Sequence, residues 1–286
     1  MTTPATDVPA PPSPEIALTV DAGGIATNYH DIGDGATPVV LLHGSGPGVS
    51  AWANWRLTMP ALAEQTRVLA PDIVGFGYTE RPDGITYDLP TWVQHLADFV
   101  DALGLDRVGL VGNSFGGALA LAFATRHPER VSRFVVMGSA GIKFELTEAL
   151  DFGWGYEPSP ANMRRLMELM AFDQSLVSDE LAELRYAASI RPGVQEAFAR
   201  MFPAPRERWI EALATPEEQL AALPHEALVV HGREDRIVPV ESSHRLSRLI
   251  PRTQLHVFAR CGHWTQIEQQ ARFNRLITDF FAEADR

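Results

Sequence analysis

Short apolar runs alternate with longer segments of helical periodicity, and this alternation limits the possible folds more than any other feature of the sequence. Eight such runs are present: IALTV, IATNYHDIG, VVLLHG, RVLAPDI, RVGLVGN, RFVVMGS, ALVVHG and LHVFARCG. Runs such as 39–42 and 108–111 are apolar throughout, which is typical of strands buried on both faces. Segments such as TWVQHLADFVDALGL carry helical spacing. The pattern predicts an α/β fold with an eight-stranded, mostly parallel sheet and helices on both faces.

The alternation stops after Ala140, and no β-rich run follows until Ala227. We therefore expect a helical insertion after the sixth strand, which would lie over the sheet as a lid. The first residues are rich in Pro, Thr and Ala and lack aromatic side chains, so they are expected to be disordered. The predicted units are a tail over 1–14, a core over 15–141 and 210–286, and a lid over 142–209.

One predicted lid helix has a methionine-rich face. Ser159 and Pro160 have the residue types of a helix N-cap and first turn. Four apolar residues then follow at helical spacing: Met163, Leu166, Met167 and Met170. This face indicates either ordinary packing or an adaptable roof over an apolar ligand.

Composition excludes several classes of partner. Lys and Arg number 24 and Asp and Glu 36, which gives a net charge of −12. Such a chain repels phosphate backbones and anionic lipids, so neither nucleic acid nor a membrane is an expected partner. The one cysteine, Cys261, cannot form an internal disulfide, which favours the cytoplasm.

The segment LVGNSFGGALALA places Ser114 between a predicted strand and a predicted helix. Gly112, Ser114 and Gly116 form G-x-S-x-G, the motif of a nucleophile elbow in this strand-to-helix context. Glycines are needed because side chains beside so sharp a turn would collide with the strand and the helix. The alternative is an N-capping serine at a glycine-rich turn.

A serine nucleophile needs a base and an acid, which should follow it at the ends of later strands. His263 follows the last strand on a glycine-bearing loop, whereas His43 precedes the serine and His231 lies inside a strand. Asp235 is preferred to Glu234 as the acid because the next turn begins after it. Asp72 also follows a strand, but it precedes the serine and is interpreted as a turn stabiliser.

The segment HGSGPG, residues 43–48, follows the strand VVLL. Its small residues allow backbone N–H groups to approach a ligand closely. We expect the N–H groups of Ser45 and Phe115 to form an oxyanion hole. The sequence has no glycine-rich phosphate-binding motif and no His and carboxylate cluster with metal-ligand spacing, so no cofactor or metal is expected. Cys261 is interpreted as a packed residue.

Five segments resemble one family: HGSGPGVSAWANWR, DIVGFGYTERP, VGNSFGGALALA, ELRYAASIRPG and CGHWTQIE. They are similar to the α/β-hydrolase-fold enzymes that hydrolyse carbon–carbon bonds in meta-cleavage products of aromatic compounds. The similarity is greatest to the 2-hydroxymuconic semialdehyde-type hydrolases of monoalkylbenzene and phenol pathways. It extends from about residue 15 to the C-terminus. The SGPG loop with Trp52 and Asn54, and Trp264 after the histidine, are far more family-specific than G-x-S-x-G.

The resemblance implies substrate-binding residues as well. Arg185 lies beside the face formed by Leu181, Leu184 and Ala188, and spacing alone leaves three possibilities: a snorkelling arginine, a partner of a core carboxylate, or a ligand-binding residue. The family has its carboxylate-binding arginine at this position. By the same resemblance, the substrate's polar end would contact Asn54, Asn113 and Trp264, and its alkyl end Ala140, Leu150, Trp154, Ile210 and Ile237.

The activity that the resemblance implies is cleavage of the C5–C6 bond of 2-hydroxy-6-oxohexa-2,4-dienoates by a Ser114–His263–Asp235 triad, without a cofactor. The products would be 2-hydroxypenta-2,4-dienoate and a carboxylic acid. Family members assemble, so a homodimer is expected. A carboxylesterase with the same triad remains the main alternative, and a non-catalytic ligand-binding protein on this fold is less favoured. Relatives that cleave halides or epoxides use an aspartate nucleophile, which Ser114 argues against.

Overall fold

The computed structural model describes residues 13–282 and contains one sheet of eight strands. The strands are β1 (Leu18–Ala22), β2 (Ile25–Ile32), β3 (Val39–Leu42), β4 (Val68–Pro71), β5 (Val108–Asn113), β6 (Val131–Met137), β7 (Ala227–Gly232) and β8 (Thr253–Phe258). Their order across the sheet is β1-β2-β4-β3-β5-β6-β7-β8. The β1–β2 and β2–β4 pairs are antiparallel and the others parallel, so the predicted eight-stranded, mostly parallel sheet is confirmed.

Helices cover both faces of the sheet because the central strands are apolar on both sides. In β3, Val40 and Leu42 belong to one hydrophobic cluster, whereas Val39 and Leu41 belong to a second cluster on the opposite face. The core helices are α1 (Ala51–Trp55), α2 (Met59–Ala63), α3 (Leu89–Ala102), α4 (Phe115–Arg126), α11 (Val240–Leu249), α12 (Thr265–Glu268) and α13 (Gln270–Ala282). Gly104 has a φ of 63° just after α3, as expected for a helix stop.

Six further helices lie between β6 and β7: α5 (Glu148–Trp154), α6 (Pro160–Met170), α7 (Asp179–Ser189), α8 (Val194–Met201), α9 (Glu207–Leu213) and α10 (Glu217–Ala221). The predicted boundary between lid and core, at 209/210, falls inside α9. This helix continues past the boundary and packs on α4 of the core. Ser159 caps α6 by accepting a hydrogen bond from the Asn162 N–H at 3.0 Å. In the part of the chain that the structure describes, no helix is both long and apolar enough to cross a membrane.

Of the tail expected over residues 1–14, all but Ser13 and Pro14 lie outside the described residues. These two residues line the large cavity described below, together with the adjacent Glu15. Glu15 is held by the core, since its carbonyl accepts a hydrogen bond from the Asn28 side chain at 3.0 Å. The segment 13–15 is therefore part of the wall of the site.

Candidate active site

Ser114 forms the turn between β5 and α4, with a φ of 54° and a ψ of −112°. A non-glycine residue at such a φ stores roughly 1–3 kcal/mol of strain and persists only where its surroundings fix it. Here the Ser114 N–H donates to the Met137 carbonyl at 2.8 Å, and the Ser114 carbonyl accepts from the Gly117 N–H at 3.0 Å. The side chain makes no capping hydrogen bond. The N-cap interpretation is therefore wrong.

The two glycines of the motif are required by crowding rather than by their own φ. A Cβ at Gly112 would overlap the carbonyl of Gly116, and a Cβ at Gly116 would overlap the carbonyl of Leu42 at the end of β3. The strand and the helix thus approach so closely that neither position has room for a side chain larger than the hydrogen atom of glycine. This close approach produces the sharp turn that carries the serine.

His263 and Asp235 meet after the last two strands of the sheet. Asp235 lies three residues beyond β7, and His263 lies on the loop between β8 and α12. The His263 Nδ1 lies 2.7 Å from the Asp235 Oδ2. An ionised carboxylate only accepts, so Nδ1 carries the hydrogen and Nε2 is the ring nitrogen left to act as a base. The predicted acid and base are therefore brought together.

Asp235 is almost fully buried, yet several donors stabilise its ionised form. Its Oδ1 accepts hydrogen bonds from the backbone N–H groups of Ile237 at 2.7 Å and Val238 at 3.0 Å. Burial opposes ionisation, but the charge of His263 and hydrogen bonds from His231 and His263 outweigh it, so the pKa of Asp235 lies below its ordinary value. The Asp235 carboxylate is therefore ionised in the folded enzyme near neutral pH.

His231 is a residue that the sequence interpretation missed. Its Nε2 lies 3.3 Å from the Asp235 Oδ2 and 3.0 Å from the Val238 carbonyl. Both neighbours are acceptors, so Nε2 carries the hydrogen, and Nδ1 accepts from the Ser243 hydroxyl at 2.6 Å. A histidine inside a buried strand four residues before the acid was the available signal.

The rival acids and base have structural roles. Asp72 accepts the Tyr78 N–H at 2.8 Å and so stabilises the turn that follows it, as expected, and it also accepts the Ala51 N–H at 2.6 Å at the start of α1. Glu234 accepts the Cys261 N–H at 2.9 Å and so joins the loop after β7 to the loop after β8. His43 is hydrogen-bonded at both ring nitrogens to backbone groups, which leaves no nitrogen for a substrate.

Ser114 and His263 line the same cavity, whose volume is about 480 Å³. Sequence-predicted residues that line it are Ser45, Asn54, Asn113, Ser114, Leu150, Trp154, Arg185, Ile237, His263 and Trp264. The elbow, the histidine loop, the HGSGPG loop and the lid therefore converge on one space. A cavity of this size accommodates a small-molecule ligand.

Four predicted residues do not line the cavity. Asp235 lies behind His263, and the Phe115 ring packs in the core against Trp92 with ring centroids 4.7 Å apart. The placement of Ala140 and Ile210 on the alkyl-binding wall is not found, because both are buried in the core around the site.

The two predicted oxyanion donors are not used elsewhere. Within residues 13–282, neither the Ser45 N–H nor the Phe115 N–H donates to a backbone acceptor. The Ser45 hydroxyl accepts a hydrogen bond from the Trp154 Nε1 at 3.1 Å, which ties this loop to the lid helix α5. The Asn54 Oδ1 accepts the Gly44 N–H at 3.1 Å and holds the same loop from the other side. The loop is therefore fixed on both sides.

Arg185 lines the cavity and also has protein partners. Its Nη2 donates to the Gly48 carbonyl, and its Nη1 lies 3.5 Å from the Glu15 Oε1. Burial lowers the pKa of Arg185, and the charge of Glu15 partly offsets this effect. Arg185 therefore has a carboxylate partner, and its place on the cavity wall is compatible with the ligand-binding interpretation. Leu184 on the expected apolar face is 59% exposed.

The methionine-rich face of α6 is both packed and exposed to the cavity. Met163, Leu166 and Met167 are buried, and all three line the cavity together with Met170. The two interpretations of this face are therefore compatible. A flexible thioether surface suits apolar groups of different shapes.

Cys261 is fully buried, and burial raises the pKa of its thiol to about 12, so it is a packed residue as expected. Between Ser13 and Ala282, no group of three or more His, Cys, Asp or Glu residues could hold a metal ion.

Comparison with known proteins agrees with this geometry. Residues 37–270 match the family model for the alpha/beta hydrolase fold. A 2-hydroxy-6-oxo-2,4-heptadienoate hydrolase of Pseudomonas putida (strain F1) is 63% identical over 95% of this chain and 98% of its own length. A 2-hydroxymuconate semialdehyde hydrolase of Pseudomonas sp. (strain CF600) is 60% identical over 96% of each chain.

Among solved structures, a meta-cleavage product hydrolase from Pseudomonas fluorescens IP01, a serine-to-alanine mutant complexed with acetates, superposes with a TM-score of 0.93. It is 58% identical and covers 94% of this chain and 99% of its own. The chain belongs to the α/β-hydrolase-fold family and, within it, to the serine-dependent meta-cleavage product hydrolases.

Proposed function

We propose that this enzyme hydrolyses the C5–C6 bond of alkyl-substituted 2-hydroxy-6-oxohexa-2,4-dienoates in the degradation of aromatic hydrocarbons. The products are 2-hydroxypenta-2,4-dienoate and a carboxylic acid. The observation that carries this proposal is the hydrogen bond of 2.7 Å between His263 and Asp235 on a cavity that Ser114 and Arg185 also line. The printed activities of the close relatives support it.

The polar groups of the cavity suit the carboxylate end of such a substrate. Arg185 supplies a guanidinium, and Asn54, Asn113 and Trp264 supply neutral donors on the cavity wall. Guanidinium and carboxylate form strong, directional hydrogen bonds when water is excluded. These residues would therefore orient the dienoate, with its C6 ketone toward Ser114.

The reaction needs a place for the electrons of the broken bond. Ketonisation of the dienol, with a proton added at C5 and one lost from the 2-hydroxyl, conjugates the 2-keto group with the C3–C4 double bond. Ser114 then adds to the C6 ketone while His263 accepts its proton, and the Ser45 and Phe115 N–H groups stabilise the oxyanion. Collapse breaks the C5–C6 bond and places its electron pair in the dienolate, whose 2-oxygen takes up the proton held by His263. This gives 2-hydroxypenta-2,4-dienoate and returns His263 to its neutral form. Water, activated by His263, then releases the acyl group from Ser114 as a carboxylic acid.

The alkyl group at C6 would contact the apolar part of the wall. Leu150, Trp154 and Ile237 line the cavity, and the methionine-rich face of α6 closes it. Among the described residues that line the cavity, none on this face is charged. We therefore propose preference for alkyl substituents over a second carboxylate.

The test is steady-state turnover of 2-hydroxy-6-oxohepta-2,4-dienoate, followed by the loss of its yellow dienolate, beside turnover of 4-nitrophenyl acetate. We expect efficient dienoate cleavage by the wild-type enzyme. Ser114→Ala should bind the dienoate but lose kcat by a factor of at least about 10³, because no other group supplies the nucleophile. Screening methyl, ethyl, isopropyl and phenyl substrates would then define the pocket.

Ester turnover without dienoate cleavage would instead make the protein a carboxylesterase that uses the same triad. Binding of the dienoate without any turnover would indicate a ligand-binding protein. Equal loss of binding in Ser114→Ala and Arg185→Ala would contradict the separate roles given to these residues.

We also propose a homodimer located in the cytoplasm. The single cysteine and the buried state of its thiol suit a reducing compartment. Light scattering on the purified enzyme tests the dimer, and a monomer mass would exclude it.

A further inference from the structure

The cavity contains a carboxylate that the reaction does not use. Glu15 lines the cavity on the segment before β1, and its side chain is only 12% exposed. Its Oε2 accepts a hydrogen bond from the Ser50 hydroxyl at 2.6 Å, and its Oε1 lies 3.5 Å from the Arg185 Nη1. The side chain is therefore fixed beside the guanidinium that is assigned to the substrate carboxylate.

Arg185 does not depend on Glu15 for its position. Its Nη2 donates to the Gly48 carbonyl, and Gly48 packs directly on the end of α7, where an added Cβ would lie 2.6 Å from the Ala188 carbonyl carbon. The 3.5 Å separation from Glu15 is long for a charge-assisted hydrogen bond. Glu15 thus contributes mainly charge at this place, and the backbone of the HGSGPG loop fixes the arginine.

The charges on the cavity wall nearly balance. Apart from His263, the ionisable side chains that line it are Arg56, Arg185 and Glu15. Arg56 is held by a hydrogen bond of 2.7 Å from its Nη1 to the Ala53 carbonyl, and no carboxylate among residues 13–282 forms a salt bridge with it. Two guanidiniums and one carboxylate leave one net positive charge. A ligand with one carboxylate neutralises that charge.

We propose that Glu15 is a resident counter-carboxylate that weakens the hold of Arg185 on carboxylate ligands and so speeds release of the dienoate product. The part of this inference that concerns product release rests on the proposed function. Substrate and product carry the same carboxylate, so attraction to it is equal before and after bond cleavage. Such uniform binding does not accelerate the chemistry, and excess attraction retains the product. Repulsion from Glu15 limits this retention.

The test compares Glu15→Gln with the wild-type enzyme by titration calorimetry, with hexa-2,4-dienoate as a stable probe and hexa-2,4-dienamide as its neutral counterpart. Glutamine keeps the shape and the contact with Ser50 but removes the charge. We expect the Kd of the dienoate probe to fall about fivefold, from the loss of one charge repulsion in a partly solvated site. The Kd of the amide should stay unchanged. With the ring-fission substrate, KM should fall without any gain in kcat.

Glu64→Gln is the matched control, because Glu64 is exposed at the end of α2, far from the cavity lining, and its replacement changes the net charge equally. It should leave both Kd values unchanged. Arg185→Ala should move the Kd of the dienoate probe in the opposite direction, to weaker binding.

An unchanged or higher Kd for the dienoate probe in Glu15→Gln would overturn the inference, as would an equal effect on the amide or an equal effect of Glu64→Gln. Thermal unfolding of each variant confirms that it is folded. These binding measurements need no turnover. A failure of dienoate cleavage by the wild-type enzyme would therefore overturn the proposed function without deciding the role of Glu15.

Discussion

Both carboxylate oxygens of Asp235 accept hydrogen bonds. One of the donors, His231, is itself held in place by a further residue, Ser243. The Ser243 hydroxyl donates to the His231 Nδ1 at 2.6 Å, which leaves the hydrogen on Nε2, 3.3 Å from the Asp235 Oδ2. Each lost donor to a buried charge costs roughly 1.5–3 kcal/mol. His231 is therefore a positioning residue that acts on His263 through Asp235.

Replacement of His231 tests this role. We expect His231→Leu to lower kcat about tenfold with little change in KM, because His231 does not line the cavity but Asp235, which orients His263, loses a donor. His231→Gln places an amide N–H near the former Nε2 and should retain most of the activity. Steady-state kinetics on the dienoate give both values. Equal losses in the two variants would mean that His231 only fills space.

At the scale of single residues, the sequence was sufficient to predict the site residues that carry a motif or follow a strand end. Ser114 carries a motif, Asp235 and His263 follow strand ends, and the structure brings the last two into contact. Glu15 could not be predicted, because it adjoins a segment with the composition of a disordered tail. For His231 the only signal was its place in a buried strand four residues before the acid, because its contact with Asp235 depends on a turn that returns the chain to its own strand. Such contacts arise only after the backbone has closed.

Among the elements, the junction of β3, β5 and α4 sets the geometry of Ser114, the proposed nucleophile. Gly116 has an ordinary φ, so a side chain there would be opposed by crowding alone, from the backbone carbonyls of Leu42 and His43. We expect Gly116→Ala to lower the free energy of unfolding by more than about 2 kcal/mol and to reduce kcat strongly, because α4 must shift away from β3. Chemical denaturation and steady-state kinetics measure the two effects.

Gly104→Ala separates crowding from backbone strain. Gly104 has a φ of 63° but has open space around its Cβ position. Its replacement should cost about 1 kcal/mol through strain alone and leave kcat unchanged. An unfolding free energy that falls as much in Gly104→Ala as in Gly116→Ala would contradict the explanation by crowding.

The presence of each strand and helix was predicted more reliably than the residue at which it ends or the surface against which it packs. The eight strands and the N-cap of α6 follow from local composition, and all are present. The end of the lid was placed inside α9, since helical periodicity does not reveal which surface a helix packs against. The same limit explains Ala140 and Ile210, whose burial is evident from their type but whose distance from the cavity depends on tertiary packing.

For the molecule as a whole, the lid and the histidine loop form one hydrogen-bonded unit. The His263 N–H donates to the Met170 carbonyl at the end of α6 at 2.7 Å. The Glu268 Oε2 accepts the N–H groups of Phe172 and Asp173 at 2.9 Å each, and its Oε1 accepts the Gly262 N–H at 2.8 Å. One carboxylate therefore joins the end of the lid helix to the loop that carries His263.

Removal of this link should affect catalysis from a distance. We expect Glu268→Ala to lower kcat about tenfold and to lower Tm, because three backbone N–H groups lose their acceptor and the His263 loop loses its support. Glu268→Gln keeps one acceptor oxygen and should fall between the wild-type enzyme and Glu268→Ala. The dienoate assay and thermal unfolding measure both effects. Full kcat in Glu268→Ala would show that the lid and the loop are independent.

The bond from the His263 N–H to the Met170 carbonyl also limits how this enzyme can diverge. Because it uses a main-chain carbonyl, any side chain at Met170 preserves it, so new linings for the pocket can arise by point substitution. A deletion that shortened this part of the lid would leave the backbone N–H of His263 unpaired. Changes of substrate range are thus expected to accumulate as replacements in α6 rather than as losses of chain length.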